Sequence, residues 1–210
     1  LILRLVDFFL QGMLRYVLVL LPVYMLFRAL YLLMKRRKPV WAHELLLAVG
    51  AAYGISLVSQ TLLPQSIYGL EDLEYYTQNM FQCHRSYNLI PMRTVWAYLF
   101  TQNDRVNDWG SVALLNLSAN IGLFIPLGVL APMFGRRLRR LRSTVLLGLA
   151  ISFAIEAGQY LIGRSADVDD LILNVFGVVI GYGIWAAVRR TDKALSPSAP
   201  MESGGEVGPG

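Results

Sequence analysis

Five apolar blocks, each about 20 residues long, limit what this chain can fold into. They cover roughly 16–34, 42–63, 111 or 112–134, 143–162 and 171–188. A helix of about 20 residues crosses a hydrocarbon core of roughly 30 Å. The expected fold is an all-α integral membrane protein with about five transmembrane helices, an interfacial N-terminal helix and an aromatic-rich outer loop. Residues 1–15, with Arg4, Asp7 and Gln11 among apolar neighbours, read as an interfacial amphipathic helix. Residues 16–190 form the membrane domain with an outer loop at 64–110, and the Ser-, Pro- and Gly-rich stretch 191–210 reads as a disordered cytoplasmic tail. Pro64 closes the second span, and Pro126 predicts a kink in the third. Composition agrees: 16 % of the 210 residues are charged and 55 % hydrophobic, against about 25 % charged in soluble domains.

A net charge of +5 raises the question of nucleic acid. The basic residues, however, stand in short clusters between apolar blocks and do not interleave with aromatics as a binding face would. They are a topology signal. Lys35–Lys38, Arg136–Arg142 and Arg189–Lys193 follow the first, third and fifth spans, so all three fall on one side, which reads as cytoplasmic. The loops 64–110 and 163–170 hold four Arg against eight acidic residues. This places the chain in the plasma membrane, multi-pass, with its N-terminus outside and its C-terminus cytoplasmic. No cleavable signal peptide is expected in Leu1–Leu10. The missing initiator Met suggests that the sequence starts downstream of the translation start. With Cys83 as the single cysteine, no intrachain disulfide is expected. His43 and His84 stand in no ligand spacing.

The chemistry-bearing residues then fall at one depth. Asn116 and Asn120 lie one turn apart in the outer half of the third span. Ser152, Glu156 and Gln159 occupy the outer half of the fourth. Asp167, Asp169 and Asp170 lead the fifth, with Asn174 one turn further in. Glu156 is embedded among Ile151, Phe153, Ala154, Ile155 and Ala157. An acid at the centre of a span costs about 2.5–3.5 kcal/mol by insertion scales, so Glu156 is expected to face the bundle interior and meet Asn120, Asn174 or Arg164. It serves there either as a structural clamp or as a ligand-binding or catalytic group. The D-x-D-D spacing of Asp167, Asp169 and Asp170 fits a hard cation, but the same residues suit the N-cap and first turn of a helix, and no metal is expected. Gly177 and Gly181 read as a packing face for a neighbouring helix. The outer loop carries Tyr87, Trp96, Tyr98, Phe100 and Trp109 among other aromatics, either an interfacial belt or a cap over the site, and Thr94–Gln102 suits a short interfacial helix.

Four segments stand in order: Asn88-Leu89-Ile90-Pro91, Asn116-x-x-x-Asn120-Ile121-Gly122 through Pro126-Leu127-Gly128, Ser152-x-x-x-Glu156-x-x-Gln159, and Arg164-x-x-Asp167-x-Asp169-Asp170-x-x-x-Asn174-x-x-Gly177. Together they resemble the VanZ-like family. The resemblance covers about Leu46 to Ala187; Met92 departs from a position where the family often has Phe. It implies a small multi-spanning bacterial protein related to one tied to resistance to lipidated glycopeptides, teicoplanin above all, and it implies no particular reaction.

Residues and resemblance together lead to an outer-leaflet site for membrane lipids, and specifically for a lipid-linked cell-wall precursor or a lipoglycopeptide antibiotic. Asn88, Asn116, Asn120, Ser152, Gln159, Arg164, Asp167 and Asn174 are the expected substrate-binding residues, with Arg164 pairing a phosphate. For an enzyme, Glu156 is the candidate general base and Asp169 or Asp170 the second carboxylate. Whether the protein is an enzyme stays open at this point, and no cofactor is implied. A non-enzymatic binder is the alternative. A proton-coupled transporter or flippase ranks last, because its ionisable residues would extend to the midplane and inner half.

Overall fold

The computed structural model describes residues 2–62, 86–101 and 109–195, with side chains at 11–62, 86–101 and 109–191. In chain order the elements are α1 (Ile2–Met34), α2 (Trp41–Thr61), the two-residue strand β1 (Tyr87–Asn88), α3 (Arg93–Phe100), α4 (Trp109–Phe134), a 3-10 turn at Arg136–Arg139, α5 (Leu141–Leu161), β2 (Ala166–Asp167) and α6 (Val168–Leu195). Among the described residues, five helical stretches are long and apolar enough to cross a membrane: Gln11–Met34, Trp41–Thr61, Trp109–Phe134, Leu141–Leu161 and Val168–Thr191. The shortest, of 21 residues, is about 31 Å long at 1.5 Å per residue. Leu18, Phe27, Leu146 and Phe153 point outward, each more than 60 % exposed, as lipid-facing residues do.

α1 runs without a break from Ile2 through Pro22 to Met34, so the expected N-terminal helix 1–15 and the first span share one element. α6 likewise continues to Leu195, into the segment expected as tail. Of the loop expected at 64–110, residues 64–85 and 102–108 lie outside the described residues, Tyr68, Tyr75, Tyr76 and Phe81 among them.

Close packing fixes how the helices run. A Cβ on Gly177 would collide with the Ile121 carbonyl, one on Gly181 with the Ile125 carbonyl, and one on Gly128 with backbone at Val178–Tyr182. Numbers rise together along both helices, so α4 and α6 are parallel neighbours in backbone contact, an approach that small residues permit. α5 packs antiparallel to α6: the Val178 side chain covers Gly148, and Asn174 Nδ2 donates to Ser152 Oγ at 2.9 Å. α2 is antiparallel to α4, with Gly50 against the Phe134 ring and the Tyr53 hydroxyl donating to the Leu123 carbonyl at 2.9 Å. Leu57, Phe124, Leu127, Ala131, Ile155 and Val178 form the core where these four helices meet. α1 lies on α2 through an Arg28–Glu44 ion pair of 2.7 Å.

These directions give the bundle two chemically distinct ends. Lys35–Lys38, Arg136–Arg142 and Arg189–Arg190 gather at a basic end. Thr61, β1, α3, the start of α4, the end of α5 and the start of α6 gather at an acidic end.

Candidate functional site

Polar residues in a membrane helix need partners, because an unpaired polar group in an apolar medium costs several kcal/mol. At the end of α2, the Ser56, Ser59 and Thr61 hydroxyls donate to carbonyls of their own helix, at Ala52, Ser56 and Leu57. The Thr61 carbonyl, at the end of the helix, accepts from Gln159 Nε2 at 3.0 Å and from Arg164 Nη1 at 2.7 Å. Gly163, at φ 81°, turns the chain out of α5, a conformation that glycine adopts without a Cβ penalty. The chain then forms β2, which pairs in parallel with β1 in the register Tyr87 to Ala166 and Asn88 to Asp167.

The three aspartates at the start of α6 point to three different places. Asp167 Oδ1 accepts the Asp169 N–H at 2.9 Å and so caps α6; the same oxygen receives Asn88 Nδ2 at 3.0 Å, while Oδ2 receives the Thr94 hydroxyl. Asp169 is fully buried, and its two oxygens accept the N–H groups of Met92, Thr94 and Val95. Met92 stands at φ 65°, a left-handed geometry that costs a non-glycine residue roughly 1–2 kcal/mol and turns these donors onto one carboxylate. Asp170 faces the third way and accepts from Asn120 Nδ2. Among the described residues, no group of three or more His, Cys, Asp or Glu is arranged to hold a metal ion.

Between these elements lies a cavity of about 480 Å³. Of the residues singled out by sequence, Asn116, Asn120, Gln159, Arg164, Asp167 and Asp170 line it. Asn88 sits beside it, bonded to Asp167 and Thr94. The remaining four lie behind the wall: Ser152 and Asp169 at 0 % exposure, Asn174 at 4 % and Glu156 at 7 %. Glu156 Oε2 accepts the Asp167 N–H at 2.8 Å, bracing the turn that carries Asp167. Asn174 Oδ1 is buried and meets no partner among the described residues.

Gln60, Thr61, Thr94, Tyr98 and Ser165 also line the cavity, and sequence reasoning missed them as site residues. Tyr98 lies on α3, the short helix expected at 94–102 and found at Arg93–Phe100. Its hydroxyl accepts from Asn116 Nδ2 at 3.4 Å. Burial raises the Tyr98 pKa above the ordinary phenol value, and the negative charges of Asp170 and Asp167 raise it further, so the ring stays a neutral donor. The opposite face of α3 is apolar and open, with Trp96, Leu99 and Phe100 each more than half exposed.

A bundle of five membrane-length helices with a polar cavity recessed into one end defines the class: a multi-pass α-helical membrane protein. The VanZ/LLP1 family model matches residues 51–189, and the chain belongs to that family. This stretch takes in the second half of α2, all of α4 and α5, most of α6 and every described cavity residue. No curated protein and no solved structure matches the chain.

Proposed function

We propose that the cavity binds the polar head of a lipid-linked envelope component, or of a lipoglycopeptide antibiotic, at the outer leaflet. On this reading the basic clusters lie at the cytoplasmic end, the cavity opens outward, and the N-terminus is outside and the C-terminus inside. The observation carrying the reading is the composition of the cavity. Among the described residues one cation, Arg164, lines it; its side chain is exposed and makes a single hydrogen bond, to Thr61. Opposite are amides of Asn116 and Asn120 and carboxylates of Asp167 and Asp170. A guanidinium with donors to spare suits phosphate; amides and carboxylates suit hydroxyl and amino groups. The exposed aromatic face of α3 would lie among lipids, bringing the head group of a membrane-borne ligand level with the opening. Family membership supports the link to glycopeptide resistance.

A second reading, chemical modification of the bound head group, is favoured by one observation. Of the three carboxylates named as acid–base candidates, Asp170 alone opens into the cavity. It is the general base in that reading, with Glu156 and Asp169 as positioning residues.

The test is mass spectrometry of lipids that co-purify with the wild type, Arg164→Gln and Asp170→Asn. The wild type is expected to retain a phosphate-bearing lipid, and Arg164→Gln to retain about 10- to 100-fold less, the value of a hydrogen-bonded charge. Lipid profiles identical across all three proteins would overturn the binding reading. A product released by the wild type and absent with Asp170→Asn selects the catalytic one.

A further inference from the structure

At the basic end, far from the polar cavity, α1 and α2 part to leave a groove of about 540 Å³ walled by Met25, Leu32, Leu33 and Trp41. Its body carries no net charge, because its two ionic residues cancel. Arg28 Nε and Nη2 donate to Glu44 Oε2 and Oε1 at 2.7 and 2.9 Å, a bidentate pair that leaves neither charge for a ligand.

The rim is different. Arg36 and Arg37 line the groove and are exposed, Lys35 and Lys38 flank them, and none of the four is in an ion pair among the described residues. The backbone there is unusual. The Arg37 N–H reaches the Leu32 carbonyl at 3.0 Å and the Arg36 N–H the Leu33 carbonyl at 3.1 Å, closing α1 with Arg36 at φ 48°. Glycine ordinarily occupies that left-handed position. An arginine here keeps a cationic side chain on the rim at a conformational cost. Trp41, 80 % exposed, sits at the boundary depth where amphipathic rings gather.

We infer that this groove is a binding site for an anionic phospholipid of the leaflet at the basic end, one acyl chain in the groove and the phosphate on Arg36 and Arg37. An apolar slot at membrane depth below unpaired cations matches a lipid part by part. Charge selects the head group: a net negative lipid satisfies the rim, whereas a zwitterionic one brings its own cation against it. A second copy of this chain would bring the same basic run against the rim and be repelled.

Native mass spectrometry with dioleoyl phosphatidylglycerol and dioleoyl phosphatidylcholine tests the site. The wild type is expected to hold phosphatidylglycerol roughly 10-fold or more over phosphatidylcholine, the scale set by two arginines near an anionic surface. The doubly substituted Arg36→Gln, Arg37→Gln protein loses that preference. The control, Arg189→Gln with Arg190→Gln in another basic cluster, keeps it. Leu33→Trp fills the groove and loses the lipid with both arginines in place; Ala29→Leu serves the same purpose where the larger change lowers yield. Equal retention of the two lipids by the wild type, an unchanged preference in the Arg36/Arg37 variant, or equal loss in the Arg189/Arg190 control would each overturn the assignment. All of these changes lie at the end opposite Arg164 and Asp170, so the result is independent of the proposed head-group cavity.

Discussion

The Asp169 carboxylate accepts hydrogen bonds from the N–H groups of Met92, Thr94 and Val95, residues more than 70 positions away in sequence. It does for α3 what an N-cap residue does for its own helix, but from another helix, and it thereby fixes Tyr98 over the cavity. Replacing it with Ala leaves three part-buried donors without their acceptor, at up to about 1–3 kcal/mol each before water reaches them. Asp169→Ala should therefore raise amide hydrogen exchange across 92–100 by at least an order of magnitude while α4–α6 keep their protection. Unchanged exchange in α3 would show that Asp169 does not hold it. This role was not legible in sequence, because a trans-cap leaves no local spacing; only Asp167, which caps its own helix, has one. Of the six lining residues that sequence did find, Asn116, Asn120 and Gln159 interrupt apolar runs in the outer halves of α4 and α5, and Arg164, Asp167 and Asp170 lie in or just after the turn that joins α5 to α6. What sequence lacked was rotation about the helix axis. Glu156 and Asp170 are both acids in apolar surroundings, and only the packing of α5 on α6 shows that Glu156 braces the wall while Asp170 faces the space.

Elements were read more easily than faces. The long helices begin and end within a few residues of the apolar blocks because bilayer thickness sets their length, apart from the C-terminal end of α6, which runs on to Leu195, and α1, where no breaker separates the N-terminal stretch from the span and Pro22 lies inside the helix. The β1–β2 pair has two residues per strand, too short for any period to show. The Gly177 and Gly181 stripe was legible, and it has a measurable consequence. α4 and α6 touch backbone to backbone there, and the Asn120–Asp170 bond above them depends on that approach. Gly181→Leu should force the pair apart, costing about 1–3 kcal/mol as overpacking does and lowering the melting temperature in detergent. Gly183, two residues on, has open space where its Cβ would lie. Gly183→Ala should be neutral, or stabilising by up to about 1 kcal/mol through helix propensity. Equal melting temperatures for these two variants would remove the close-packing account.

At the scale of the whole molecule, the two ends differ in the kind of charge they hold. Among the described residues, the acidic end turns its carboxylates inward: Asp167, Asp169 and Glu156 are bonded to backbone N–H groups or side chains within the bundle. The basic end leaves its charges outward, with Arg136, Arg137, Arg139 and Arg140 exposed on the turn between α4 and α5. Charges held inward contribute to a site and do little to orient a chain, whereas exposed Lys and Arg in short loops decide orientation during insertion. The proposed topology thus rests on the basic end alone, and one residue from each end checks it. In a Cys83→Ser background, Ser165→Cys at the cavity mouth should react with a membrane-impermeant maleimide on intact cells. Arg137→Cys should react only after permeabilisation. Both positions are exposed in the fold, so failure to label reports the side of the membrane and not burial. The reverse pattern would turn the cavity toward the cytoplasm and with it end the outer-leaflet reading, while leaving the geometry around Arg164 and Asp170 intact for a ligand of the inner leaflet.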